Sequence, residues 1–108
     1  MNTTTRFKLV TPKGLVDAQG EVLKVKIAEQ PVTFVIHPAG SDRALSHLPS
    51  GRRIGTLDAM RISHLRQYRR ISDKTAAKLL INKLSLQHSE GRLLEALTAH
   101  RVINRFGE

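Results

Sequence analysis

The chain has 108 residues, no cysteine, four aromatic residues and a formal net charge of +9 at neutral pH. This length suffices for a single domain, residues 1–108, with one modest core, and the lack of cysteine excludes disulfides, thiolate chemistry and cysteine-ligated zinc. The polar N-terminus and the absence of any long apolar run argue against a signal peptide and a transmembrane helix. We therefore expect a cytoplasmic protein whose core is aliphatic.

The first half of the chain, strand-rich over residues 6–57, has the alternating pattern of β-strands. Apolar and basic residues alternate over 6–9 and again over 23–27, as expected for half-buried strands. The β-branched and aromatic run 32–37 is typical of a central strand. Turn-forming residues predict breaks between these strands at 11–14, 17–20, 30–31 and 38–42.

The stretch that follows predicts a β-hairpin. Residues 43–48 and 52–57 flank a turn whose last residue, Gly51, occupies the position that needs a positive φ. Five strands in sequence order then predict an antiparallel meander. Because neighbouring side chains of a strand alternate between its faces, we expect Arg52 and Arg53 to point to opposite faces of the sheet.

The second half of the chain, residues 58–106, predicts helices. On a helical wheel of 57–71 the apolar side chains fall within an arc of about 80° and the arginines near its end fall on the other side. A second helix begins near Asp73, and a third runs from about Glu90 to roughly Arg105. The sequence therefore predicts an α+β fold, in which an N-terminal antiparallel sheet of about five strands is followed by two or three helices packed on one face.

The positive charge is concentrated in one part of the chain. Residues 43–83 hold ten basic and two acidic residues, a net charge of +8, whereas the rest holds eight basic and seven acidic residues, a net charge of +1. An ordinary solvated surface does not explain why acids are nearly absent from this window, so we favour a binding surface for a polyanion. The residues predicted to form that surface are Arg43, Arg52, Arg53, Arg61, Arg66, Arg69, Arg70, Lys74 and Lys78.

The sequence contains no recognisable catalytic or metal-binding motif. The five histidines lack the spacing of metal ligands, Ser46 and His47 point to opposite faces of their strand, and the acids do not cluster. We therefore expect no catalytic residue, no metal and no cofactor. His64 and Tyr68 fall on the apolar arc of their helix, which favours partial burial, whereas His47 fits either a phosphate contact or an ordinary strand residue.

Two functions fit this charge distribution. The first is a small non-enzymatic nucleic-acid-binding protein in which a basic hairpin and helix contact the phosphate backbone of DNA or RNA, since so few aromatic residues favour little base stacking. The alternative is an inhibitor or adaptor that docks on an acidic surface of a larger complex, with an origin in a phage or mobile element. The apolar residues of the third helix cannot all face one core, which predicts a homodimer, and we expect no membrane partner.

Overall fold

The computed structural model describes residues 4–40, 42–57, 72–100 and 102–104. The strands form one antiparallel sheet in the order β1-β2-β3-β4-β5, so that each strand pairs with its neighbours in sequence. The predicted α+β class, with a five-stranded N-terminal meander followed by helices, is confirmed. In chain order the elements are β1 (Thr4–Thr11), β2 (Gly14–Ile27), β3 (Gln30–Ala39), β4 (Asp42–His47), β5 (Arg52–Thr56), α1 (Asp73–His88) and α2 (Glu90–Thr98).

Strand β2 is longer than the sequence predicted because it changes partner where a turn was expected. Its first part, up to Glu21, pairs with β1, and its second part, from Glu21 onward, pairs with β3. At Gly20 the backbone of β3 lies so close that a Cβ atom would be 2.2 Å from the carbonyl oxygen of Ile36. The predicted turn at 17–20 is therefore wrong, because this glycine permits a close approach of two backbones inside a continuous strand.

The turn between β2 and β3 also lies elsewhere than predicted. Ala28 and Glu29 form it, with φ values of 51° and 65°, and the predicted break at 30–31 is instead the start of β3. The side chain of Glu90 accepts a hydrogen bond of 2.9 Å from the backbone N–H of Ala28. This contact with α2 supports a turn that contains neither glycine nor asparagine, the residues that usually form turns with positive φ.

Two other predictions about the sheet are confirmed. Strand β3 is central, and its Phe34, Val35 and Ile36 are each at most 1% exposed. Gly51 closes the β4–β5 hairpin with a φ of 68°, in the left-handed region that favours glycine. A side chain at this position would also meet β1, because a Cβ atom would lie 2.4 Å from the carbonyl oxygen of Lys8.

Serine caps set the starts of both helices. Ser72 accepts a hydrogen bond of 3.1 Å from the backbone N–H of Thr75, which fixes the start of α1 close to the predicted position. Ser89, with a φ of 67°, separates the two helices and accepts a hydrogen bond of 3.3 Å from the N–H of Arg92. Neither helix is long and apolar enough to cross a lipid bilayer, and no other helix in the described part of the chain is.

Helix α2 ends earlier than predicted. It stops at Thr98, and the backbone N–H groups of Ile103 and Asn104 donate to the carbonyl oxygen of Pro49 at 2.6 and 3.1 Å. These amides are bonded to the β4–β5 turn and not to a preceding helical turn, so the predicted continuation to roughly Arg105 is wrong.

Apolar side chains are buried on both faces of the sheet. The larger cluster joins the sheet to both helices and consists of Leu23, Ile27, Val32, Phe34, Ile36, Leu45, Leu57, Ala76, Ala77, Ile81, Leu93 and Leu97. The smaller cluster lies on the opposite face, because adjacent strand residues alternate, and consists of Phe7, Leu9, Val35 and Leu48. The packing of all helices on one face stays a prediction, since residues 58–71 lie outside the described ranges.

One asparagine side chain joins β1 to the β4–β5 turn. The carboxamide of Asn104 accepts a hydrogen bond of 2.7 Å from the backbone N–H of Lys8 and donates to the carbonyl oxygens of Lys8 (2.9 Å) and Leu48 (2.8 Å). The backbone N–H of Val10 adds a fourth bond, 2.8 Å, to the carbonyl oxygen of Gly51. We call the three bonds of the carboxamide the Asn104 clasp, and they hold the first strand against the far end of the sheet.

Replacing Asn104 with alanine should lower the free energy of unfolding by about 1.5 kcal/mol, because three hydrogen bonds are removed from a partly buried site. Chemical denaturation followed by circular dichroism measures this change. Thr98→Ala is the control, since its hydroxyl is exposed and bonds mainly to the carbonyl of Leu94 within its own helix, and it should change stability by less than about 0.5 kcal/mol. Equal effects of the two substitutions would contradict a structural role for the clasp.

Candidate functional site

The hairpin arginines lie exposed at an edge of the sheet. Arg52 and Arg53 open β5, and neither forms a salt bridge with an acid of the described ranges. In the β4–β5 register Arg52 is opposite His47 and Arg53 is opposite Ser46, so the two guanidinium groups start from opposite faces of the strand. The predicted divergence of this pair is therefore confirmed, and both charges remain accessible to a ligand.

Two other residues of the predicted surface form salt bridges between the sheet and α1. The Nε atom of Arg43, in β4, lies 3.1 Å from Oδ2 of Asp73, and the Nζ atom of Lys74 lies 3.3 Å from Oε1 of Glu21 in β2. Both pairs attach the first turn of α1 to the sheet. Because acids of the same chain partly compensate these charges, Arg43 and Lys74 have less to offer a polyanion than the hairpin arginines have.

The remaining predicted residues divide into one that is described and four that are not. Lys78 is exposed on α1, one turn beyond Lys74. The helix predicted over 57–71 lies outside the described residues except for Leu57, and His64 and Tyr68 lie outside them too. Outside the described residues lie Arg61, Arg66, Arg69 and Arg70, whose part in the surface stays a prediction.

A cavity of about 240 Å³ lies beside the hairpin arginines. Arg52, Arg53 and Ser50 border it together with His100, and none of its lining residues within the described ranges is acidic. The other lining residues, all apolar, are Ile54, Leu84, Leu93, Ala96 and Leu97. Two basic residues therefore line a largely apolar space in which no described lining residue carries a carboxylate.

A serine–histidine pair that the sequence analysis missed is buried between β3 and β4. His37 Nδ1 donates to the carbonyl oxygen of Pro38 at 3.0 Å, so Nε2 carries the lone pair that accepts from the Ser46 hydroxyl at 2.7 Å. Burial lowers the pKa of His37, the bond to Pro38 opposes this, and the positive charge of Arg53 lowers the pKa further. Since both side chains are at most 1% exposed, no substrate reaches this pair in the described conformation.

A second pair joins His47 to the β4–β5 turn. Nδ1 of His47 lies 2.8 Å from the hydroxyl oxygen of Ser50, and the His47 ring meets the Phe34 ring edge-on at a centroid distance of 6.0 Å. Burial lowers the pKa of His47 to about 4, and the nearby His100 also lowers it. His47 is therefore neutral at pH 7 and only 4% exposed, which excludes it as a surface contact for phosphate.

The described residues contain no group of three or more side chains able to hold a metal ion. Comparison of the chain with protein-family models, with curated proteins and with solved structures gives no match. The exposure and charge of its own residues are therefore the basis on which a function can be proposed.

Proposed function

We propose that the chain is a small non-enzymatic nucleic-acid-binding protein that contacts the phosphate backbone through its basic hairpin and the basic segment that follows it. The observation that carries this proposal is the exposure of Arg52 and Arg53 without an acidic partner among the described residues, in the segment that holds almost all of the net charge. Guanidinium groups bind phosphate oxygens with two parallel hydrogen bonds, and neutralised phosphates release counterions, which favours binding.

The contacts expected from this surface are sequence-independent. Arg52, Arg53 and Lys78 are the described candidates, and Arg61, Arg66, Arg69 and Arg70 extend the same charge along the chain. Arg43 and Lys74 contribute less because each is paired with an acid. Phosphate contacts position a protein on nucleic acid but carry no sequence information, so affinity should vary little between unrelated sequences of one duplex type.

Replacing Arg52 and Arg53 together with alanine should weaken binding and reduce the slope of log K against log salt by about one unit, because the two side chains start from opposite faces of the strand and one of them faces a given phosphate backbone. Fluorescence anisotropy with double- and single-stranded DNA and RNA, each at low and physiological salt, measures both quantities. The matched control removes two exposed lysines from outside the basic segment, Lys13 and Lys26, and should leave the slope nearly unchanged. Equal reductions in the two double variants would show only an effect of total charge.

The same assay extends to the arginines that the structure leaves undescribed. Replacing Arg66, Arg69 and Arg70 together should reduce the slope further if they belong to the surface, while circular dichroism checks that the variant is folded. If the wild-type chain binds no nucleic acid even at low salt, nucleic-acid binding is refuted. The alternative, an inhibitor or adaptor on an acidic protein surface, then takes its place, with its origin in a phage or mobile element still to be established.

The homodimer and the cytoplasmic location belong to this proposal as well. The dimer was predicted from the excess of apolar residues in the third helical segment. Leu93 and Leu97 are buried within one chain, and Leu94 packs against the same cluster. Among the described large apolar residues of that segment, Val102 is exposed, at 58%, and could be covered by a second copy or by another ligand.

A further inference from the structure

A second cavity, of about 290 Å³, lies between the sheet and the end of α2. Two imidazoles line it, those of His47 and His100, together with the hydroxyl-bearing Thr33 and Thr98. Its apolar walls come from Pro31, Val32, Pro49, Leu97 and Val102. We call this space the His47 cavity. A concave, largely apolar space with a few converging polar groups is the usual form of a small-molecule site.

The hydrogen bonds on the other side of His47 allow the tautomer that donates into the cavity. The hydroxyl oxygen of Ser50 accepts from the backbone N–H of Arg52 at 3.4 Å, so its own proton is free to be donated to Nδ1 of His47. When the Ser50 proton is donated in this way, Nδ1 is the acceptor of the neutral ring and the ring proton lies on Nε2, which is the tautomer that a bound anion would select. No described residue accepts a hydrogen bond from Nε2, which leaves this N–H as the donor that His47 offers to the cavity.

The charge around the cavity favours an anion. None of the described residues that line it is acidic. It also shares Leu97 and His100 with the cavity beside Arg52 and Arg53, so that two permanent positive charges border the adjoining space. A carboxylate placed between His47 and His100 would accept from imidazole N–H groups in a partly dehydrated environment, where charge-assisted hydrogen bonds are strong.

The walls of the cavity favour an apolar body behind that anion. Val102 is 58% exposed although it lines the cavity, so a bound apolar group would remove its surface from water. The volume is at the small end of ligand-binding pockets, which favours a compact molecule, no larger than a medium-chain acid such as octanoate, over a long acyl chain.

We propose that the His47 cavity binds a compact apolar monocarboxylate, with the carboxylate hydrogen-bonded to Nε2–H of His47 and facing His100. This site goes beyond the proposed nucleic-acid binding and does not depend on it, because neither histidine belongs to the basic surface. A bound carboxylate favours the charged form of the imidazole, so it should raise the pKa of His47 above its value of about 4.

The test titrates octanoate into the isotope-labelled protein at pH 7 and follows the histidine ring signals by NMR. Saturable shifts of His47 and His100 are expected, with no shift of His37, which is buried on the other face of the sheet and provides an internal control. His100→Ala should weaken binding about tenfold, as expected when one hydrogen bond to a charged group is removed, because alanine has no side-chain donor. His88→Gln, which changes an exposed histidine at the end of α1, should leave the affinity unchanged.

Three results would overturn the proposal. The first is no saturable shift of His47 with octanoate, and the second is an equal shift of His37, which would indicate a general effect of the ligand on the protein. The third is equally tight binding of 1-octanol, the neutral probe of the same chain length, since this would mean that the cavity recognises only the apolar body. Circular dichroism of both variants ensures that weaker binding does not result from unfolding.

Discussion

Gly20→Ala is expected to destabilise the fold by about 3 kcal/mol or more, a large part of the stability of a small domain. The added Cβ atom would lie 2.2 Å from the carbonyl oxygen of Ile36 and 2.8 Å from a methyl carbon of Val35. Neither contact can be relieved by rotating a flexible side chain, because the first involves backbone and the second a fully buried valine. The strands β2 and β3 must therefore move apart at the point where β2 changes partner.

Urea denaturation followed by circular dichroism measures this destabilisation. Gly91→Ala is the matched control, because a Cβ atom at this position in α2 has no atom within 4 Å. Alanine is favoured over glycine inside a helix, so this variant should gain up to about 1 kcal/mol. A Gly20→Ala protein as stable as the wild type would mean that β2 and β3 do not approach each other in the way described.

Acidification from pH 7 to pH 4 is expected to remove about 3 kcal/mol of stability through His47 alone. Burial, followed by the charge of His100, lowers the pKa of His47 from 6.5 to about 4 in the folded protein. Between these two values the unfolded chain binds a proton that the folded protein does not, so stability is complete above about pH 6.5 and falls as the pH decreases toward 4. The lowered pKa of His37 acts in the same direction.

Denaturation curves at half-unit steps of pH measure this dependence. His47→Gln should remove close to one proton from the slope of unfolding free energy against pH between 4 and 6.5. Gln87→Ala, which changes an exposed residue and removes no titratable group, should retain the wild-type slope. An unchanged slope in the His47 variant would show that other groups cause the acid sensitivity.

The parts of the fold that could be predicted from the sequence depend on local conformational preference. Gly51 was predicted correctly because a hairpin turn of this kind needs a left-handed residue. Gly20 was misread because a glycine serves equally in a turn or at a close approach of two strands, and only the register of β2 against β3 distinguishes them. The turn at Ala28 and Glu29 escaped prediction because Glu90, distant in sequence, supports it.

The candidate site likewise has features that follow from local sequence and features that depend on contacts between distant residues. The divergence of Arg52 and Arg53 follows from strand alternation, whereas the pairing of Arg43 with Asp73 depends on where α1 docks. The bond between His47 and Ser50 could have been found, because the two residues are three apart across a predicted tight turn. The bond between His37 and Ser46 could not have been found, because it needs the register of β3 and β4.

The Asn104 clasp also bears on how long the native state lasts. It joins residues 8 and 104, and such a contact closes a loop of nearly the whole chain, whose entropic cost delays it until the sheet has formed. A contact made after the transition state affects the unfolding rate and leaves the folding rate almost unchanged. We therefore expect the clasp to slow unfolding, so that a single carboxamide far along the chain from β1 contributes to how long the native state lasts.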